Sequence, residues 1–113
     1  MKVWKVKIHK LVIASDFKKI SKKDQSIIIK TIYKKLSTFP DKYGSPLRHN
    51  LKGYWKLKVS GYRIIYRIEK EKVTVLVLKA GIRRDEEVYK EMLKRLNAVE
   101  KEDIFDYFTF CSI

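Results

Sequence analysis

Lys56 and Lys58 alternate along a predicted strand, Trp55 to Val59, and a predicted turn at Ser60-Gly61 sets Arg63 opposite Lys58 on the returning strand. Val59 then faces Tyr62, and Leu57 faces Ile64. Like charges directly opposite each other in an antiparallel pair are destabilising, so a hairpin that keeps them has a use for the repulsion. Arg67 lies further along the same face. Arg83 and Arg84 follow Gly81 at the end of the next strand, Tyr89 sits one turn into the last helix, and Arg48 stands in the loop that feeds the hairpin. Any one of these residues alone reads as solvated surface. The set, at this spacing, is better explained by an anion that neutralises it.

The elements that must position these residues are legible from hydrophobic period. A first strand spans roughly Val3 to His9, with Trp4, Val6 and Ile8 on one face and Lys5 and Lys7 on the other. A first helix is predicted over Leu11 to Ile20. Ser21 is a predicted N-cap for a second helix, with Asp24 three residues later. That helix sets Gln25, Ile28, Ile29, Ile32 and Leu36 along one side and ends before Pro40. DKYGSPLRHNLKG reads as turn and loop. After the hairpin comes the strand KVTVLVLKA, where pairing Ile68 with Val73 would put Val75 and Val77 on the face of Ile64 and Tyr66. Asp85 caps a last helix, about Glu86 to Leu96.

The order is β-α-α-β-β-β-α, an α+β fold: one antiparallel sheet with the two N-terminal helices packed on one face. The opposite face mixes cations with Ile65, Leu76 and Leu78, which need cover from the last helix or from a partner.

Composition supports this reading. The chain has 113 residues, enough for one small domain. It carries 27 Lys and Arg against 13 Asp and Glu, a formal charge of +14, which favours a polyanionic partner. No apolar run is long enough to span a bilayer, and the Lys-interrupted N-terminus is unlike a secretory signal. The expectation is a cytoplasmic protein with no membrane partner. One cysteine, Cys111, and two histidines, His9 and His49, offer no metal-ligand spacing, so no metal and no cofactor are expected. His9 is placed outward at a strand end, and both histidines take the plain reading of structural or solvated residues.

RNA suits the cationic face, since its phosphates offer repeated charge and its splayed bases can stack on a tyrosine or an Arg plane. The segment from Leu47 to Leu96 resembles the core of the RelE family of toxins from type II toxin–antitoxin pairs. The resemblance lies in the Lys-x-Lys strand (Lys56, Lys58), the SGYRxxY hairpin (Gly61, Tyr62, Arg63, Tyr66), the strand ending in G-x-R (Gly81, Arg83) and the E-V-Y helix (Glu87, Val88, Tyr89). The N-terminal strand and helix pair also fit, so the likeness covers residues 1–96.

The resemblance implies a microbial-ribonuclease-type fold and a ribosome-dependent mRNA endonuclease. Such an enzyme cuts the codon in the empty decoding site and inhibits translation. It assigns catalysis to Lys56, Lys58, Arg63, Arg83 and Tyr89, with Arg48 as a supporting RNA contact; Arg67 and Arg84 belong with the RNA-binding cations. It also implies an acidic, RelB-like antitoxin partner, with DNA reached only through the antitoxin complex. Two alternatives stand beside it: a non-catalytic toxin of the same fold acting on DNA gyrase, and a ribosome-binding module that does not cut.

The chemistry is consistent with the residue types. Metal-free cleavage of RNA needs a base for the 2′-hydroxyl proton, cations for charge developing on the phosphoryl oxygens, and a donor to the departing 5′-oxygen. Between Arg48 and Tyr89 the only histidine is His49, in the loop, so a lysine must serve as base. Neighbouring cations favour this role, because like charge disfavours the protonated amine. Lys56 or Lys58 is the base and the other binds phosphate. Arg63 and Arg83 stabilise the transition state, Arg83 nearest the leaving oxygen, and Tyr89 positions or stacks on the substrate base.

Residues 97–113 form an acidic, aromatic extension with four acids and one Lys. The plainer reading is a terminal segment packed elsewhere or disordered. The sharper one is a tail folded over the cationic face in imitation of an antitoxin.

Overall fold

The computed structural model describes residues 3–82, 87–100 and 107–110. Within them the chain runs through β1 (Lys5–His9), two short helical turns, α1 (Lys22–Leu36), the single turn α2 (Pro40–Tyr43), the two-residue β2 (Ser45–Pro46), β3 (Trp55–Val59), β4 (Tyr62–Glu69), β5 (Thr74–Ile82), α3 (Glu87–Glu100) and β6 (Tyr107–Phe110). The strands form one sheet in the order β2-β3-β4-β5-β1-β6. The α+β class holds, and the N-terminal helical segment packs on one face, but the expectation of a wholly antiparallel sheet does not hold. β2 through β5 are antiparallel, but β1 enters beside β5 in parallel, with Lys5 opposite Thr74 and Ile8 opposite Val77, so the sheet is mixed. The helical segment between β1 and β3 supplies the crossover that a parallel neighbour requires.

The first sheet face is closed by the N-terminal helical segment. Ile28, Ile32 and Leu36 of α1 pack with Val12, Phe17 and Ile20 onto Val6, Ile8, Leu57, Val59, Ile64, Tyr66, Val75 and Val77. Truncating a buried side chain such as Ile32 to Ala costs about 2–5 kcal/mol in a core of this kind. Ser21 caps α1 as predicted, its Oγ accepting from the Asp24 N–H at 3.2 Å. The Gln25 amide donates to the Phe17 and Ile20 carbonyls, both at 2.7 Å, and ties the turn before α1 to its first coil. The predicted regular helix over Leu11–Ile20 is instead a wide turn at Val12–Asp16 followed by a tight one at Phe17–Lys19. The wide turn ends on Asp16, whose carboxylate is turned into the protein. His9 is 1 % exposed rather than outward, and its Nδ1 accepts from the Leu11 N–H at 3.1 Å.

The β3–β4 hairpin has the predicted register, with Val59 opposite Tyr62, Lys58 opposite Arg63 and Leu57 opposite Ile64. The next pairing differs from expectation by two residues. Ile68 faces Val75, and the connection takes up Val73 in a left-handed conformation (φ 48°). A two-residue slip keeps every side chain on its face, so Val75 and Val77 still join Ile64 and Tyr66. Between Ile65 and Tyr66 the register shifts, which places Leu78 as an extra residue on β5 and sets Lys79 opposite Ile65.

The second sheet face is covered by α3. Val88 and Met92 pack on Leu51, Tyr54, Ile65, Leu76 and Leu78, so the last helix supplies the cover those apolar residues need. A buried charge cluster adds to this seat. The Asp16 carboxylate accepts from Lys79 Nζ (2.8 Å), the Ala80 N–H (2.9 Å) and both Nη atoms of Arg95 (2.8 Å each). Lys79 also reaches Glu91 at 2.7 Å, and Arg95 donates to the Leu78 carbonyl at 2.9 Å. Gly81 permits the close approach of α3, because a Cβ there would lie 2.8 Å from Val88 Cγ2.

The strand of the C-terminal extension pairs antiparallel with β1, Val6 opposite Phe110 and His9 opposite Tyr107. It therefore lies at the sheet edge remote from β3, and these four residues do not cover the cationic hairpin. Among the described residues no helix is long and apolar enough to cross a membrane.

Candidate active site

Strand alternation turns Leu57 and Val59 into the core and Lys56 and Lys58 outward from β3. Opposite Lys58, β4 presents Arg63 on the same face. Over this face, α3 brings Tyr89, Lys90 and Leu93 to one side of an open cleft of about 820 Å³. The segment from Ser45 to Leu51 forms the facing wall.

That wall is held in place by local contacts. Ser45 and Pro46 pair with Lys56 and Trp55, the Leu47 N–H donates to the Tyr54 carbonyl at 2.9 Å, and Leu51 is buried against the second core. Gly44 is required at its start, since a Cβ would fall 2.7 Å from the Lys56 carbonyl and into the Tyr66 hydroxyl. Tyr66 in turn donates to the Pro40 carbonyl at 2.6 Å, and burial pushes its phenol well above the usual range.

The cleft therefore gathers Arg48, Lys56, Lys58, Arg63 and Tyr89, five of the residues named from sequence, into one lining. Lys90 makes a fifth cation, and among the described residues no carboxylate lines the cleft. Such a surface concentrates positive potential and attracts a polyanion. Arg63 Nη1 donates to the Tyr89 hydroxyl at 2.5 Å, and its guanidinium lies 5.4 Å from the centre of the Tyr89 ring. This pair orders two long side chains before any substrate binds. Arg63 Nε is buried and has no hydrogen-bond partner among the described residues. A buried donor left without a partner is costly, and a phosphoryl oxygen is a natural acceptor for an arginine.

Not all the expected residues come together. Arg67 stands further along β4, outside the cleft lining, and its Nη2 lies 3.3 Å from Glu69. Arg83 and Arg84 lie outside the described residues. Tyr62 is on the core side, its hydroxyl donating to Asp24 at 2.6 Å, and that carboxylate holds its phenol above its ordinary value. Both hairpin tyrosines, Tyr62 and Tyr66, are thus structural.

The sequence reading missed three features. Lys90 is adjacent to Tyr89, and its place on a helix bordering the hairpin was a usable signal. His49 and Asn50 line the cleft, although His49 reads as a plain loop residue. The Asp16 cluster joins positions far apart in the chain, and its one early sign is that Asp16 is the sole acid among residues 1–23.

Comparison with known proteins places this geometry in a family. Residues 4–87 match the family model described as ParE toxin of type II toxin-antitoxin system, parDE. The chain is 49 % identical over 41 residues to the mRNA interferase toxin RelE of Escherichia coli K12, covering 36 % of this chain and 43 % of that protein. The match thus spans less than half the length of that relative. It is 31 % identical over 70 residues to Toxin RelG of Mycobacterium tuberculosis, covering 62 % of this chain and 80 % of that one. A solved structure of the M. tuberculosis RelBE2 toxin–antitoxin complex superposes with a TM-score of 0.69 at 28 % identity, covering 75 % of this chain and 97 % of that one. The isolated E. coli RelE toxin superposes at 0.57 and 23 % identity, over 83 % of this chain and 98 % of that one, a likeness of fold alone. The chain belongs to the ParE toxin family of type II toxin–antitoxin systems, the RelE/ParE superfamily, and stands with its RelE-type members.

Proposed function

We propose that this protein is the toxin of a toxin–antitoxin pair and acts as a ribosome-dependent endoribonuclease, cutting mRNA in the decoding site and so inhibiting translation. The observation that carries the reading is the single cleft that joins Lys56, Lys58, Arg63 and Tyr89 with Arg48. A gyrase poison of the same fold has no need of this set, and a binding module has no need of an ordered Arg63–Tyr89 pair.

In the proposed reaction Lys56 or Lys58, as the neutral amine, takes the proton from the 2′-hydroxyl. The 2′-oxygen attacks the adjacent phosphorus, the P–O5′ bond breaks, and a 2′,3′-cyclic phosphate forms while the 5′-oxygen takes up a proton from water, the lysine later returning its own to solvent. The second lysine and the Arg63 guanidinium hold the phosphoryl oxygens. Tyr89, ordered against Arg63, positions the nucleotide. Arg83 serves the leaving oxygen. The step consumes no metal and no cofactor.

The antitoxin is proposed to be a small acidic, RelB-like protein that covers the cationic face, with DNA contacted only through that complex. RelBE2 is a toxin–antitoxin complex by its own description, which supports a partner of this kind. A cytoplasmic location follows from the proposed ribosomal target.

Primer extension on a defined mRNA, in programmed ribosomes with an empty decoding site, tests the reading. A cut within the decoding-site codon is expected on ribosomes, not on naked RNA, and not with Arg83→Ala. Inhibited translation without a cut would leave a binding module, and no inhibition at all would redirect the search to gyrase.

A further inference from the structure

The proposed cleavage uses the cations and the tyrosine of the cleft and leaves one wall without a task. Arg48, Lys56, Lys58, Arg63 and Lys90 can only donate hydrogen bonds, and their natural partners are phosphoryl oxygens. A base edge presents donors and acceptors together. A donor-only cation can read the acceptor edge of a guanine, but matching an edge that mixes donors and acceptors takes side chains that do both. Among the described lining residues these are Ser45, His49, Asn50 and Tyr89, and Tyr89 is already engaged with Arg63 through hydroxyl and ring.

We propose that His49 and Asn50 read the base of the nucleotide held in the cleft and so determine which nucleotides are cut. This inference rests on the cleavage reading above and adds to it the residues that set specificity. The two side chains are adjacent on one turn, His49–Leu51, and both are exposed at the cleft wall. Neither makes a hydrogen bond or ion pair among the described residues, so no structural duty accounts for them.

The backbone gives a second, independent reason. His49 has φ 58°, the left-handed region that residues with a Cβ enter at a cost. The turn is held there by the Lys52 N–H donating to the His49 carbonyl at 3.1 Å and the Leu51 N–H donating to the Arg48 carbonyl at 3.2 Å, with Leu51 anchored in the core. Strained backbone that its surroundings over-determine concentrates at functional sites. Here the strain fixes two polar side chains beside the cations of the cleft.

The test is the cleavage rate on ribosomes carrying a panel of mRNAs that differ only in the decoding-site codon. Wild type is compared with Asn50→Ala, His49→Gly and the double variant. Glycine removes the imidazole and relaxes the left-handed backbone, so His49→Gly does not threaten folding. The expected result is a spread between best and worst codon that narrows on the order of tenfold in the double variant, mainly by loss at the preferred codons. A double variant that keeps the wild-type spread, with or without a uniform loss of rate, would overturn the proposal. So would a wild-type protein that cuts all codons alike. A wild-type protein that cuts no codon would overturn the cleavage reading itself, and this proposal with it.

Discussion

The two flanks of α3 carry charge under opposite rules. On one flank Asp16, Lys79, Glu91 and Arg95 set two carboxylates against two cations, with Lys79, Asp16 and Arg95 nearly shut off from water. The ion-pair distances there are 2.7 to 2.8 Å, and the cluster also takes up the Ala80 N–H and the Leu78 carbonyl at 2.9 Å each. On the other flank the cleft is lined by Arg48, Lys56, Lys58, Arg63 and Lys90, with no carboxylate among the described lining residues. Buried charge is tolerated only when paired and hydrogen-bonded, and the first flank obeys that rule. The second gathers like charge beside water, where the repulsion is affordable and an arriving polyanion removes it. One helix thus serves as a strut on one side and as a site wall on the other.

The sharpest way to separate the flanks is to remove the proposed base. Of Lys56→Met and Lys58→Met, one is expected to lower mRNA cleavage by about 10²–10⁴-fold, the usual contribution of a positioned general base. Unfolding of either variant should shift by less than about 0.5 kcal/mol. Single-turnover cleavage rates and denaturant unfolding check both halves, and a loss of stability in place of rate would merge the two flanks into one structural feature.

The mirror experiment is Asp16→Asn. It leaves Arg95 without a carboxylate and Lys79 with Glu91 alone, so a loss of about 3–5 kcal/mol of stability is expected by denaturant unfolding. Adding Arg95→Met should recover part of that loss, since the cation left without a carboxylate is removed. If Asp16→Asn unfolds like wild type, the cluster does not hold α3.

A smaller effect is expected where the flanks meet. Gly81→Ala puts a methyl 2.8 Å from Val88 Cγ2 and should cost about 1–3 kcal/mol of stability as α3 gives way. Because α3 carries Tyr89, the same substitution should slow cleavage as well. A variant that loses stability at full cleavage rate would show that the seat of α3 does not set the site.

The smallest expected effect is on pH dependence. The hydrogen bond from Lys79 holds the Glu91 carboxyl below its ordinary value of 4.5. A carboxylate depressed in the folded state contributes stability above the unfolded value and loses it as pH falls through the folded one. Unfolding measured between pH 5 and 3 should therefore show a component that Glu91→Gln removes. Solvent reaches the Glu91 side chain, 37 % exposed, and keeps the component small.

The parts of this arrangement that were legible in the sequence are those set by near neighbours. The β3–β4 register follows from alternation and a two-residue turn, and it alone puts Lys58 against Arg63. The need for cover over Ile65, Leu76 and Leu78 is equally plain from the strand pattern, and α3 meets it. The β4–β5 register was not legible, because a slip of two leaves the pleat phase unchanged and nothing local marks the extra residue Leu78. Arg67 looks like Arg63 in the sequence. What separates them is Glu69, two residues further on, and a position beyond the reach of the cleft. The Asp16 cluster joins residues 63 and 79 positions apart, a closure that only the folded topology makes.

The central claim is that the cleft, and Arg63 within it, serves the chemistry and not the fold. Its most direct test is the rate of decoding-site mRNA cleavage by Arg63→Ala beside its unfolding curve. The expected result is a rate lowered by about 10²–10³-fold, as for loss of one transition-state donor, with the change in unfolding free energy under about 1 kcal/mol. Cleavage at the wild-type rate, from a variant that unfolds as wild type does, would contradict the account.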